Sequence, residues 1–135
     1  MPTTRTERLD IRSSDDVVKV RQQTRTLAIE AGLSLVDQTK IITAASELAR
    51  NTLDYGGGGE LFAAVVEDGG RRGVRLTFED HGPGIPNIAQ AMKDGFTTGS
   101  GLGLGLGGAK RLSNEFAIES KPGAGTKIII ARWKA

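Results

Sequence analysis

The sequence is 135 residues long, with 38% hydrophobic and 25% charged residues, 19 glycines and a formal net charge of +2. This length predicts one domain with its own hydrophobic core, and glycine is about twice as frequent as usual. The small net charge and the 4% aromatic content argue against a nucleic-acid partner, and the lack of cysteine excludes disulfides and thiolate metal sites. Because there is no apolar run of about 20 residues and no hydrophobic signal core, we expect a cytoplasmic protein without a membrane partner.

The N-terminal half predicts one strand followed by two helices. The run ERLDIRSS alternates apolar and polar side chains, as a half-buried strand does. Ser14 is a typical N-cap for a helix over Asp15–Ala31. Ser34 caps a second helix, with Asp37 at its third position, and this helix is expected to end near Asp54. The core-facing positions of the second helix are Ile41, Ala45 and Leu48.

The C-terminal half predicts strands, a glycine-rich segment and another long helix. The runs ELFAAVVED and GVRLTFED, joined by GGRRG, are typical of an antiparallel hairpin, and IAQAMKDGF is typical of a short helix. TTGSGLGLGLGG precedes a third long helix at AKRLSNEF, and strands around AIESK and TKIIIARW flank a PGAG turn. Together these elements predict one α+β domain, residues 1–135, with helices on one face of a mixed, mostly antiparallel sheet.

Glu47 and Asn51 lie one turn apart in the second predicted helix, so their side chains project toward the same small site. A carboxylate can take a proton from a hydroxyl or from water, and an amide oxygen is a suitable ligand for Mg²⁺. A solvated helix face is the alternative, and the pair taken alone favours it. The four glycines that follow, residues 56–59, are expected to end this helix in a flexible connection to the hairpin.

The stretch FEDHGPGIP directly follows a predicted strand. Asp80, at the end of that strand, can accept a hydrogen bond from an exocyclic amine at the floor of a pocket. Gly82 and Gly84 allow backbone conformations and close approaches that side chains would block. An ordinary surface turn is the alternative, since these residue types are common in turns. His81, the only histidine, is expected to face solvent rather than to catalyse or bind metal.

The segment TTGSGLGLGLGGAKRL is the strongest functional signal in the chain. Its glycines leave backbone N–H groups free to bind phosphate at the positive end of the helix that follows. It matches neither a Walker A loop nor a dinucleotide-binding fingerprint. The interleaved Leu102, Leu104 and Leu106 can anchor the segment on the core, which predicts a hinged lid. A purely structural glycine-rich loop is the alternative, although the backbone entropy of so many glycines requires some compensation.

In this order, ELARN, DHGPG, GLGLGL and GAGT resemble the four motifs of the GHKL superfamily of ATPases and kinases, and they extend from Glu47 to about Lys127. The run GLGLGLGGAKRLSNEFAIESKPGAGTKIIIARW is most similar to the RsbT-type serine/threonine kinases of bacterial stress signalling. The resemblance implies a two-layer α/β sandwich, the Bergerat-type ATP-binding fold, with ATP and Mg²⁺ as cofactors.

The resemblance also implies roles for individual residues. Glu47 would be the catalytic base that activates a substrate hydroxyl, and Asn51 would be the Mg²⁺ ligand. Asp80 would accept the adenine amine, and Thr126 would support the adenine site through its hydroxyl. Asp54 stands where many relatives carry a basic or aromatic residue, so it receives no role. The other expected nucleotide contacts are Gly82, Gly84, Ile85, Gly101, Leu102, Gly103, Leu104 and Gly105.

By resemblance, the chain is expected to be an ATP–Mg²⁺-dependent serine/threonine kinase of STAS-domain antagonist or scaffold proteins, which then activates a downstream phosphatase. One alternative is an anti-sigma factor kinase that sequesters a sigma factor, and the GLGGAKRL continuation argues against it. A histidine-kinase catalytic domain is disfavoured, because no dimerisation helix with a phosphoacceptor histidine is recognisable. Another alternative is a non-catalytic, nucleotide-gated binding module, which would not need Glu47 as a base.

Overall fold

The structure, a computed structural model, describes residues 3–85, Met92 and residues 105–135. Within these ranges, three helices pack against one face of a five-stranded sheet with strand order β1-β2-β3-β5-β4. The described strand pairs are all antiparallel, and the two-layer α+β prediction is confirmed. None of the described helices combines the length and apolar character needed to cross a membrane. The elements are β1 (Thr3–Ile11), α1 (Ser14–Glu30), α2 (Leu35–Asp54), β2 (Gly59–Asp68), β3 (Arg71–Asp80), α3 (Gly105–Arg111), β4 (Glu115–Lys121) and β5 (Gly125–Trp133).

The two long helices follow their local signals closely. The Ser34 hydroxyl accepts a hydrogen bond from the Asp37 N–H at 3.1 Å, which confirms the predicted cap of α2. Helix α1 begins one residue earlier than predicted, because Ser13 is its N-cap and the Asp16 carboxylate accepts from the Arg12 N–H at 2.8 Å. The predicted core positions of α2 are fully buried: Ile41, Ala45 and Leu48.

The third helix is shorter than predicted and lies earlier in the chain, because α3 ends at Arg111 and Glu115 already belongs to β4. Asn114 accounts for this boundary. Its N–H donates to the Ala131 carbonyl at 2.8 Å, and its Oδ1 accepts from the Trp133 N–H at 2.7 Å. Both bonds attach the chain to β5, so the backbone continues as a strand. The short helix predicted over residues 88–96 lies, apart from Met92, outside the described residues.

The sheet register places three polar residues at one end of the helix-covered face. Phe78 is 1% exposed in the core, and Asp80 follows it two residues later on the same face of β3. Ser120 of β4 is paired with Thr126 of β5, and the pairing of β5 with β3 brings Thr126 to the end of β3. The predicted adenine residues Asp80 and Thr126 therefore lie at the same end of the sheet.

Candidate functional site

Glu47 lies in the C-terminal part of α2, and only 1% of its surface is exposed. Its Oε1 accepts a hydrogen bond from the Gly105 N–H at 2.7 Å. Its Oε2 is buried and has no hydrogen-bond partner among the described residues. Leaving a buried polar atom unsatisfied costs about 1–3 kcal/mol, and more when the group is charged. Oε2 is therefore the atom of this side chain that has acceptor capacity for a substrate proton.

Gly105 connects the predicted base to the start of α3. Its φ of +64° is a conformation that glycine adopts without the steric cost of a side chain. The next residue, Leu106, is 5% exposed and packs in the main hydrophobic core, so the predicted anchoring is confirmed for this leucine. The other predicted phosphate contacts, residues 101–104, lie outside the described residues. The described part of the glycine-rich segment is thus attached both to the core and to Glu47.

Asn51 lies one turn after Glu47 on α2, on the same side of the helix, and is partly exposed. No group of three or more acidic, histidine or cysteine side chains in the described ranges could hold a metal ion. Mg²⁺ often binds proteins through one or two side-chain oxygens and completes its coordination with phosphate oxygens and water. The single amide oxygen of Asn51 therefore suits an Mg²⁺ ion carried by a nucleotide rather than an ion held by protein alone.

Asp80 ends β3 with its carboxylate held by two backbone donors. Oδ1 accepts from the Gly82 N–H at 3.0 Å and from the Thr126 N–H at 3.2 Å. A carboxylate has about four acceptor positions, so these two bonds fix its orientation and leave capacity for a further donor. The exocyclic amine of adenine is a donor of the required kind. His81, next in sequence, is exposed as predicted.

Two of the four glycines after α2, Gly56 and Gly59, are closely packed, which corrects the prediction of a flexible connection at these two positions. A Cβ on Gly56 would lie 2.4 Å from Asp80 Cγ. A Cβ on Gly59 would lie 2.1 Å from the Glu79 carbonyl oxygen, and one on Gly82 would lie 2.8 Å from Gly56 Cα. These positions need glycine because the end of β3 packs directly against them. The Asp80 carboxylate is consequently flanked by backbone that leaves no room for another side chain.

Thr126, Ser120 and Ile85 form a second group of contacts beside Asp80. Thr126 is 7% exposed, and its Oγ1 lies 2.9 Å from Ser120 Oγ. Ser120 Oγ also accepts from the Ile85 N–H at 2.7 Å. Gly84 has a φ of +81°, and a Cβ there would lie 2.3 Å from the Lys121 carbonyl oxygen. The segment from Gly84 to Ile85 is therefore held against the turn between β4 and β5.

A cleft of about 200 Å³ opens at this end of the sheet. It is smaller than the range of about 300–1,000 Å³ that is common for ligand sites. The hydrogen bonds of Asp80 and Thr126 therefore describe the predicted base-binding end better than the cleft volume does. The cleft is lined by Glu79, Asp80, His81, Glu119, Ser120, Lys121, Ala124, Gly125, Thr126 and Lys127.

An ion pair anchors the opposite end of α2. The Asp37 carboxylate accepts from Arg132 Nη2 at 2.8 Å, and the same guanidinium donates to the Leu112 carbonyl at 3.2 Å. The hydrogen bonds from Arg132 hold the pKa of the Asp37 carboxyl below its usual value, against the opposing effect of burial. This pair joins the start of α2 to β5 and to the residues after α3, so it fixes the elements that carry the site.

Sequence reasoning missed two residues that shape the site, Gly56 and Ser120. Gly56 is one of four consecutive glycines, and nothing in the sequence distinguishes it from its neighbours. Ser120 could have been identified from the sequence. It stands opposite Thr126 across the PGAG segment, and side chains that face each other across neighbouring strands interact. The hydrogen bond between Glu47 and Gly105 was also not anticipated, although both residues were candidates.

The comparison with protein families gives one match that covers most of the chain. Residues 36–135 match the family described as histidine kinase-, DNA gyrase B-, and HSP90-like ATPase. This range includes all but the first residue of α2 and all the elements that follow it, and so it contains every candidate site residue.

The chain is also similar to individual proteins of known name. The chain is 48% identical over 118 residues to the serine/threonine-protein kinase RsbT of Bacillus subtilis, covering 87% of this chain and 89% of the relative. It is 32% identical over 111 residues to an anti-sigma F factor of Clostridium acetobutylicum, covering 77% and 74%. The chain also matches the crystal structure of the RsbU and RsbW domains of Rv1364c from Mycobacterium tuberculosis, with a TM-score of 0.66 and 22% sequence identity. The match covers 96% of this chain and 32% of that longer chain. This similarity shows that the two share a fold.

Proposed function

Because the chain belongs to the family of histidine kinase-, DNA gyrase B-, and HSP90-like ATPases and is an ATP-dependent serine/threonine kinase, we propose that it phosphorylates STAS-domain antagonist or scaffold proteins. Phosphorylation releases the kinase, which then activates a downstream phosphatase in a cytoplasmic partner-switching stress pathway. Support for this proposal comes from the 48% identity to RsbT and from the geometry around Glu47.

The observation that carries the proposal is the buried Oε2 of Glu47, which has no hydrogen-bond partner among the described residues. In the proposed reaction, Oε2 takes the proton of a serine or threonine hydroxyl as the hydroxyl oxygen bonds to the γ-phosphorus and the bond from that phosphorus to ADP breaks. The hydrogen bond from Gly105 to Oε1 holds the carboxylate in place without occupying the second oxygen. Positioning of this kind is expected to supply most of the catalysis, as in other phosphoryl transfers.

Mg²⁺ would neutralise negative charge on the phosphates when it is bound with ATP. Asn51 would hold it through the amide oxygen, and backbone N–H groups of residues 101–104 would bind phosphate. The Gly105 N–H, also expected from the sequence to contact phosphate, instead donates to Glu47 Oε1. We expect Asn51→Ala to remove most of the gain in ATP affinity that Mg²⁺ produces in the wild type, and Asn51→Asp, which keeps an oxygen ligand, to retain part of it. A titration of ATP with and without Mg²⁺ measures this. An unchanged Mg²⁺ dependence in Asn51→Ala would exclude Asn51 as the ligand.

The direct test of the function is transfer of labelled γ-phosphate to purified STAS-domain proteins. The wild type should label a serine or threonine on one of them, and Glu47→Gln, with ATP affinity retained, is the matched inactive control. A wild type that binds ATP but labels none of these proteins would instead support a nucleotide-gated binding module. A candidate phosphatase is then added to the reaction and its activity is measured. This tests whether the kinase that is released after phosphorylation activates the phosphatase.

An anti-sigma factor kinase is the second candidate function, and the similarity to the anti-sigma F factor favours it. The two candidates differ in the partner that the nucleotide-bound chain captures. An anti-sigma factor would retain a sigma factor and release it when the antagonist protein is added, whereas the proposed kinase would retain no sigma factor. Pull-down with the nucleotide-bound chain and purified sigma factors distinguishes them.

A further inference from the structure

The Ser120 hydroxyl contacts three separate segments of the chain at the proposed base-binding end of the site. Its Oγ accepts from the Ile85 N–H at 2.7 Å, lies 2.9 Å from Thr126 Oγ1 and lies 3.3 Å from the Gly125 carbonyl oxygen. One serine side chain therefore joins the loop after Asp80, the start of β5 and the hydroxyl expected to support adenine.

The single proton of the Ser120 hydroxyl allows two arrangements of these contacts. In the first, Ser120 donates to Thr126 Oγ1 along the 2.9 Å contact, and the Thr126 proton is free for another acceptor. In the second, Ser120 donates to the Gly125 carbonyl along the longer 3.3 Å contact, and the Thr126 proton is used on Ser120. A ligand that offers an acceptor next to Thr126 favours the first arrangement, because in the second the Thr126 proton is already donated to Ser120.

The position of Thr126 beside Asp80 defines the kind of ligand that fits. The Thr126 N–H donates to Asp80 Oδ1 at 3.2 Å, so the hydroxyl and the carboxylate belong to one recognition surface. In adenine, the amine at C6 is a donor and the adjacent ring nitrogen N1 is an acceptor. Guanine presents the reverse pattern at the same two positions. A carboxylate acceptor beside a hydroxyl donor is therefore complementary to adenine.

We propose that Ser120 is a positioning residue for adenine recognition: by donating to Thr126 Oγ1, its hydroxyl directs the Thr126 proton toward N1 of the base. The inference rests on the proposed nucleotide site. It adds the residue that sets the direction in which the Thr126 hydroxyl donates its hydrogen bond. Ser120 itself makes no contact with the base in this arrangement. Ser120 therefore affects the recognition of N1, whereas Asp80 recognises the amine.

The test compares ATP with 1-deaza-ATP, in which a C–H replaces the N1 acceptor. The wild type should bind ATP about 3–10-fold more tightly than 1-deaza-ATP, the range expected for one hydrogen bond. In Ser120→Ala, this preference should fall below about 2-fold, because the Thr126 hydroxyl loses the hydrogen bond that holds its proton toward N1. Ser120→Thr keeps a hydroxyl at this position and should restore the preference. Binding is measured by calorimetry at fixed Mg²⁺.

A second ligand separates this role from a merely structural one. Purine riboside triphosphate lacks the C6 amine but keeps N1, so its affinity relative to ATP reports on Asp80. Ser120→Ala should leave that ratio unchanged, even if loss of the Ile85 bond weakens all three ligands in parallel. In a Thr126→Val background, Ser120→Ala should not change the preference for ATP over 1-deaza-ATP any further.

The outcomes are distinguishable. An equal loss of affinity for ATP and 1-deaza-ATP in Ser120→Ala, with the wild-type preference retained, would overturn the inference and leave Ser120 as a structural residue. An unchanged affinity for all ligands would overturn it as well. Failure of the wild type itself to bind ATP would contradict the proposed nucleotide site, and not specifically the role of Ser120.

Discussion

The two ends of the candidate site differ in how completely their carboxylates are satisfied. At the proposed base-binding end, Asp80 Oδ1 accepts two backbone hydrogen bonds, and Gly56 packs closely against the side chain. At the proposed catalytic end, Glu47 is more deeply buried, and its Oε1 accepts one hydrogen bond while its Oε2 has no partner among the described residues. The geometry of the first carboxylate suits the proposed recognition of adenine, and the second oxygen of Glu47 suits the proposed chemistry.

This difference predicts that substitutions at the two ends affect different measurements. A preorganised hydrogen-bonding group contributes to ground-state affinity for the ligand that it recognises. A base that acts on the substrate proton stabilises the transition state and contributes little to nucleotide affinity. Variants at the Asp80 end should thus change ATP binding, and variants at Glu47 should change the rate of transfer.

The largest effect is expected for Glu47→Gln. The amide oxygen can still accept the hydrogen bond from Gly105, so the substitution mainly removes basicity at the second position. Phosphoryl transfer should fall by about 10²–10⁴-fold, the usual contribution of a general base, while ATP affinity changes little. Single-turnover transfer and calorimetric titration of ATP measure the two quantities. Transfer at the wild-type rate would show that Glu47 is not the base.

The second effect concerns Asp80→Asn. An amide in this position presents a donor where the carboxylate offered only acceptors, so it is mismatched to the adenine amine. ATP affinity should fall by about 1–3 kcal/mol. For the same reason, the wild type should bind GTP, which carries a carbonyl at C6, much more weakly than ATP. Equal affinities of the wild type for ATP and GTP would contradict the assignment of Asp80 to the base.

The parts of the fold and site that follow from local periodicity could be predicted from the sequence. The cap at Ser34 and the placement of Glu47 and Asn51 on one side of α2 depend on residues within one helical turn. Contacts between distant residues could not be predicted in this way. Gly105 and Glu47 are 58 positions apart, and their hydrogen bond depends on how α3 packs against α2. The periodic spacing of apolar residues along the sequence does not predict such a contact.

The packing of Gly56 against Asp80 is also a contact between residues distant in sequence, and it predicts a smaller effect on ATP affinity. In Gly56→Ala, the new Cβ would displace the Asp80 carboxylate, so ATP affinity should fall by about 3–10-fold, as for the loss of one hydrogen bond. Gly57→Ala is the matched control. Gly57 has a φ of +73° but open space around it, so alanine should cost about 1 kcal/mol of stability and leave ATP binding unchanged. Unchanged ATP affinity in Gly56→Ala would show that the Asp80 carboxylate tolerates displacement.

The smallest effect is expected at Asp37, far from both carboxylates of the site. In Asp37→Asn, the amide oxygen can still accept from Arg132, but the charge-assisted part of the interaction is lost, so the free energy of unfolding at pH 7 should fall by about 1 kcal/mol. The Asp37 pKa is lowered in the folded chain. Its stabilising contribution is therefore fully present above the unfolded-state pKa of about 3.9 and is lost as the pH falls through the lower folded-state pKa.

Urea unfolding of the wild type and of Asp37→Asn between pH 7 and pH 3 measures this effect. The difference in stability should stay constant down to about pH 5 and then shrink below about pH 4, because only the wild type takes up a proton at position 37. The exposed pair of Arg5 with Glu30 provides a control, since Glu30→Gln should leave stability nearly unchanged. The ratio of ATP to GTP affinity should also remain at its wild-type value in Asp37→Asn. A change in that ratio would mean that the anchoring of α2 by Arg132 controls recognition at the Asp80 end, and the two ends of the site would then not be independent.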